Sequence, residues 1–258
     1  MEEQLQKLVE LTSNKWETTI RLQGTESILK TRLENHIKLN QNRSYKVGLN
    51  FFTMFNQIRN IKETNNIFRY FNGTDWKTIK LMPGSYEINQ IESEINRQMM
   101  SDGDFDVKNS LSYIDIIPRP ETNRISANIR GNDYKIDCDS PNNIMFFFGF
   151  NQRSEPLEKG DYIAEKQAEI IDIHSIDIGC NLIEGGIVNG KNTNNIYEFP
   201  SLTVPIGAKI IERPTTIVYF PLNRYTIDEI VCEIRDENNN LIDLPGEMKM
   251  ISLHVIQV

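Results

Sequence analysis

From Trp16 onward, apolar and polar residues alternate along most of the chain, the period of a half-buried strand. Val47, Leu49 and Phe51 alternate with Lys46, Gly48 and Asn50, and the aromatic run continues through Phe55. Ile67–Phe71 and Trp76–Met82 are joined by Asn72-Gly73-Thr74-Asp75, and an Asn-Gly step between β-rich runs marks a hairpin. Tyr113–Ile117, Arg124–Ile129 and Tyr134–Cys138 read as further strands, with Pro118, Pro120 and Gly131-Asn132-Asp133 as turn chemistry between them. Ile173–Leu182, Ile210-Ile211 and Ile217–Phe220 continue the series. A last hairpin is expected: Ile230, Cys232 and Ile234 face one way, Asn238-Asn239-Asn240 turns, and Ile251, Leu253 and Val255 line the return strand, which is expected inside a sheet.

The helical period appears in three places. Leu5, Leu8 and Val9 form one stripe among Glu and Gln in residues 2–11, which predicts a helical N-terminal arm over 1–15. Ile88, Ile91, Ile95 and Met99 fall on one helix face, with Ser85 as the expected cap. A single-turn helix is expected after Pro141, ending near Gly149, with Phe146, Phe147 and Phe148 pressed into the core. Eight or more strands, two short helices and no βαβ rhythm predict an all-β fold, a single jelly-roll β-sandwich first among the sandwiches. No repeat or linker divides it, so the expected organisation is an arm at 1–15 and one jelly-roll domain with loop insertions at 16–258.

The bulk numbers narrow the functions. The 258 residues carry a formal net charge of −8, a poor basis for a whole-surface nucleic-acid binder. Arg119, Arg124 and Arg130 gather around one hairpin and read as a solvated face. The three cysteines, Cys138, Cys180 and Cys232, are far apart in sequence and form no C-x-x-C, so neither a disulfide framework nor a zinc site is expected, and a reducing compartment fits. Ile144–Phe150 is far shorter than the ~20 residues of a membrane helix. The acidic start lacks the order of a signal peptide, which leaves the sequons at Asn42 and Asn72 idle.

The chemical motifs are weak. Gly185–Asn192, GGIVNGKN, imitates a phosphate loop, but Asn192 stands where Ser or Thr should hold magnesium, and no helix start follows. It reads as a long surface or inter-subunit loop. Asp172 and His174 share a strand face and supply two thirds of an iron triad, which only His36 or His254 could complete. No G-x-S-x-G is present, and no carboxylate pair stands in a distinctive setting. The sequence therefore offers no catalytic, cofactor-binding or metal-binding residue, and the expectation is that the chain is not an enzyme.

A run of small motifs, in order, resembles a known family. Cys180-Asn181-Leu182 is followed by a G…NG loop at Gly185–Gly190, the IYEF of Ile196–Phe199 and the P-x-G of Pro205–Gly207. The I-x-E-x-P of Ile210–Pro214, the VYFP of Val218–Pro221, and an R-D…L-I-D-L-x-G-E segment from Arg235 to Glu247 complete the run. Upstream, Tyr45–Tyr70, Pro83–Ile95 and Asn142–Phe150 fit the same pattern. This order resembles the minor capsid, or penton, proteins of Maverick/Polinton elements, adintoviruses and virophages. The resemblance covers about Tyr45 to Val258, while the first 40 residues match nothing in it. It implies an upright single jelly roll, a homopentamer at the icosahedral vertices of the virion, and neighbours that are trimers of a double-jelly-roll major capsid protein. Synthesis in the host cytoplasm, no direct contact with nucleic acid and no cofactor go with it. The alternatives are a β-sandwich module that binds carbohydrate or protein outside a capsid, and a cupin-like enzyme.

Overall fold

The structure is a computed structural model and describes residues 16–106, 109, 111–169, 173–184, 186–188, 190–200, 204–244 and 246–258. The expected arm at 1–15 lies outside the described residues, as does Asp172. In chain order the first strands are β1 (Glu17–Gly24), β2 (Ile28–Lys38) and β3 (Tyr45–Phe55). Next come β4 (Ile67–Asn72), β5 (Trp76–Lys80), helix α1 (Ile88–Ser101), β6 (Phe105–Asp106) and β7 (Leu111–Ser112). They are followed by β8 (Ile114–Arg119), β9 (Arg124–Ile129), β10 (Tyr134–Cys138), helix α2 (Ile144–Phe147), β11 (Arg153–Leu157) and β12 (Gly160–Ile163). The remaining strands are β13 (Ser175–Cys180), β14 (Gly186–Val188), β15 (Lys191–Thr193), β16 (Asn195–Pro200), β17 (Lys209–Glu212), β18 (Phe220–Pro221), β19 (Thr226–Asp236) and β20 (Lys249–Gln257). The protein is all-β in character, as the alternation predicts.

The chain divides into two compact units, one of Met1–Gln57 with Ile173–Val258 and one of Ile58–Asp172. The sequence reading keeps 16–258 together because no change of composition marks the division. The inserted stretch nevertheless has its own closed core, which is more than a loop requires.

Among the described residues the first unit holds two large antiparallel sheets, besides the small β14-β15 pair. One runs β1-β20-β3-β17, with β18 also on β3, and the other runs β16-β13-β19-β2. Inward rows such as Ile176/Ile178/Cys180, Ile230/Cys232/Ile234 and Ile251/Leu253/Val255 are buried, and Phe52 of the first sheet meets Phe199 of the second at 5.5 Å. Each buried Ile, Leu, Val or Phe of these rows contributes about 1.5–3 kcal/mol by leaving water. In the second unit β11-β10-β4-β5 and β12-β9-β8 are sheets. Ile91, Ile95 and Met99 of α1 share one cluster with Phe68, Tyr70, Ile116, Ile136 and Phe148.

Several expectations are corrected here. β19 and β20 do not form a hairpin, because they belong to different sheets. The turn does form: Asp236 Oδ1 accepts from Asn238 N and Asn240 N, and Asn239 is left-handed at φ 67. Its return leg is Leu241-Ile242, after which the chain crosses to the other sheet. Phe51 is not on the face of Val47 and Leu49. A bulge opposite Ser252/Leu253 adds one residue at Asn50, so Phe52 and Met54 turn inward and Phe51 outward. The run at Ile217–Phe220 pairs only through Phe220-Pro221. Pro118 sits inside β8 rather than in a connection, allowed because β8 is an edge strand. The cap of α1 is Glu87, whose N–H donates to Gln90 Oε1 at 2.9 Å, while Ser85 Oγ donates to Ile58 O. Phe146 is only half-buried; Phe147 and Phe148 are buried.

Candidate functional site

The phosphate-loop imitation is a hairpin. Gly186 pairs with Thr193, Ile187 with Asn192 and Val188 with Lys191, and strand β16 follows where a phosphate loop needs a helix. Asn189-Gly190 is the two-residue turn signal that the sequence reading passed over, and Gly190 has φ +75. A shallow cavity of about 340 Å³ beside it is lined by Ile183, Glu184, Asn192, Thr193, Asn194, Arg235 and Asn239. Arg235 there is committed to Asn194 at 3.2 Å, Asn239 at 2.9 Å and the Glu233 carboxylate, so it is not a waiting phosphate ligand.

The histidines stay apart. His36 and His174 are exposed, and His254 lies on the other sheet from His36. Among the described residues no three His, Cys, Asp or Glu side chains converge as a metal site. His254 does have a setting that the sequence hid. Its Nδ1 is 2.7 Å from Tyr219 Oη, and its Nε2 is 3.6 Å from Glu17 Oε2. This line ties the segment before β18 to the outer face of the sheet. Gly48 makes the close approach possible, since a Cβ there would meet Ile217 Cγ2 at 2.4 Å and Val218 O at 2.6 Å. Of the three arginines, Arg119 and Arg124 are cross-strand partners, whereas Arg130 is paired with Asp115.

The surface with most recognition character is the outer face of β10-β4-β5 in the second unit. Lys135, Phe71 and Trp76 lie in one cross-strand row, and Arg69 with Thr78 in the next. Trp76 is 40% exposed, meets Phe71 at 5.6 Å, and carries the Arg69 guanidinium 4.8 Å above its ring. Each of three cations on this face has a carboxylate: Arg69 with Asp137 at 3.8 Å, Lys135 with Glu158 at 2.7 Å, Lys80 with Glu63 at 2.9 Å. The result is an exposed indole in a polar, charge-balanced surface. Beneath the sheet, buried Asp104 accepts from Tyr70 Oη at 2.8 Å, Tyr134 Oη at 3.1 Å and Asn72 Nδ2 at 3.0 Å. Burial, joined by this carboxylate, pushes both phenols well above their ordinary range. They are therefore hydrogen-bond donors that pin the strands.

No protein-family model matches the chain. No curated protein matches it either. Among solved structures it is similar to the crystal structure of selenomethionine-labelled mavirus penton protein, with a TM-score of 0.48 and 10% identity over 95% of this chain and 100% of that one.

Proposed function

We propose that this chain is a structural protein of an icosahedral viral capsid, a penton subunit that closes as a homopentamer at the vertices among double-jelly-roll major capsid trimers. In this reading it is not an enzyme, and it works through interfaces in the virion. The carrying observation is strand order. Among the eight long strands of the first unit, one sheet takes the first, eighth, third and sixth, and the other the second, seventh, fourth and fifth. That order supports a jelly roll, an architecture used by capsid proteins. The ordered motifs from Tyr45 to Glu247 support the same reading from the sequence side. A ring of this kind is heterologous, so two different flanks of the subunit must match.

The test is the mass of the full-length protein by light scattering, with negative-stain images, and co-assembly with its major capsid protein. Rings of five 30.0 kDa chains, or density for this chain at five-fold vertices, are expected. A stable trimer, or shells whose vertices lack the chain, overturns the reading.

A second reading, a module that binds neutral carbohydrate, is favoured by Trp76 in its charge-balanced setting. An indole face stacks on a sugar ring, and paired charges leave no field for an anionic ligand. It requires Trp76 fluorescence to respond to neutral oligosaccharides and the response to vanish in Trp76→Ala. No response in the folded wild type overturns it.

A further inference from the structure

Cys180 and Cys232, distant in sequence, stand directly opposite each other on β13 and β19. Their pairing class can be read from the backbone. Asn181 N donates to Val231 O at 3.0 Å, so the bond joins the residue after Cys180 to the residue before Cys232. That is the signature of a non-hydrogen-bonded antiparallel pair, in which the Cα atoms are about 4.5 Å apart and the side chains are closest. A disulfide spans Cα separations of about 4.4–6.8 Å. Both side chains are fully buried, on the face shared with Ile178 and Ile234. Both are free thiols. The backbone separation of this pairing class thus falls within the range that a disulfide spans.

We infer that Cys180 and Cys232 are an oxidisable dithiol site, which a peroxide closes to an intrachain disulfide between β13 and β19. The peroxide transfers one oxygen to the first thiol, giving a sulfenic acid and one water. The second thiol then attacks the sulfenic sulfur. The S–S bond forms, the S–O bond breaks, and a second water leaves with the thiol proton. The two thiols lose two electrons in all, and the peroxide is reduced to water. Hydrogen peroxide, close to water in size, is the oxidant suited to a site this enclosed. Cys138 is the internal control: it is buried in the other unit, and burial pushes its thiol up to about 12.

The experiment is full-length protein treated with hydrogen peroxide below its melting temperature, then denatured, with thiols counted and peptides mapped without reductant. Two of the three thiols should disappear, the intact mass should fall by about 2 Da, and one cross-linked peptide should join Cys180 to Cys232. Thermal melting should rise by about 5–10 °C and return on reduction. Cys138→Ser should behave like the wild type, and Cys180→Ser should form no intrachain link. Retention of all three thiols, oxygen gain without the cross-link, or a link through Cys138 overturns the inference. The cross-link is read directly by mass, so it stands or falls separately from the penton reading.

Discussion

Asp177 shows how one residue can carry a pH response. It lies between Glu198 on β16 and Arg235 on β19, but Arg235 is engaged with Glu233, Asn194 and Asn239. Burial, then the Glu198 carboxylate, raise its pKa from 3.8 to about 6. The folded state thus holds the proton more tightly than the unfolded chain. The stabilisation is complete below about pH 3.8 and is lost as pH rises through about 6. Asp177→Asn should therefore flatten the fall in melting temperature between about pH 4 and pH 7 and raise it by about 1–3 °C at the upper end. A variant as pH-sensitive as the wild type would refute this. No spacing rule relates positions 180 and 232, since their meeting depends on which strands pair, and a local pattern does not encode that.

Elements with a purely local cause were legible. The row Ile88, Ile91, Ile95 and Met99 of α1 is buried as its period requires. The β4–β5 hairpin forms around Asn72-Gly73, where Asn72 Oδ1 accepts from Thr74 N and Asp75 N. Asn143 caps α2 by accepting from Met145 N. Elements with non-local causes were misread. One added residue at Asn50 reverses the facing of Phe51 and Phe52, and alternation alone carries no mark of a bulge. β20 resembled the return leg of a hairpin because its inward row matches that of β19, yet its partners are β1 and β3. For α1, Ile95→Ala should cost about 2–5 kcal/mol in urea unfolding, because the fully buried site cannot collapse around the loss. Loss below about 1 kcal/mol would mean that the helix face is not core.

The two units can be tested separately. The stretch Ile58–Asp172 contains, among the described residues, three sheets, two helices and a core of its own. Expressed alone, it should melt cooperatively by near-ultraviolet circular dichroism, and a featureless, non-cooperative trace would show that its core depends on the rest of the chain. The candidate face around Trp76 lies wholly within this unit. It was not legible locally: Trp76 reads only as the start of a strand, while Phe71 and Arg69 beside it, and the Asp137 that pairs with Arg69, come from two other strands.

The position of β20 has a consequence for synthesis. It lies between β1 and β3, which do not pair with each other. On the ribosome, the early strands of that sheet must therefore wait, unpaired along those edges, while the whole of Ile58–Asp172 and the strands after it emerge. Chain growth at about 5–20 residues per second makes that wait a matter of many seconds. The sheet that holds the first strand is thus the last to be completed, when β20 arrives.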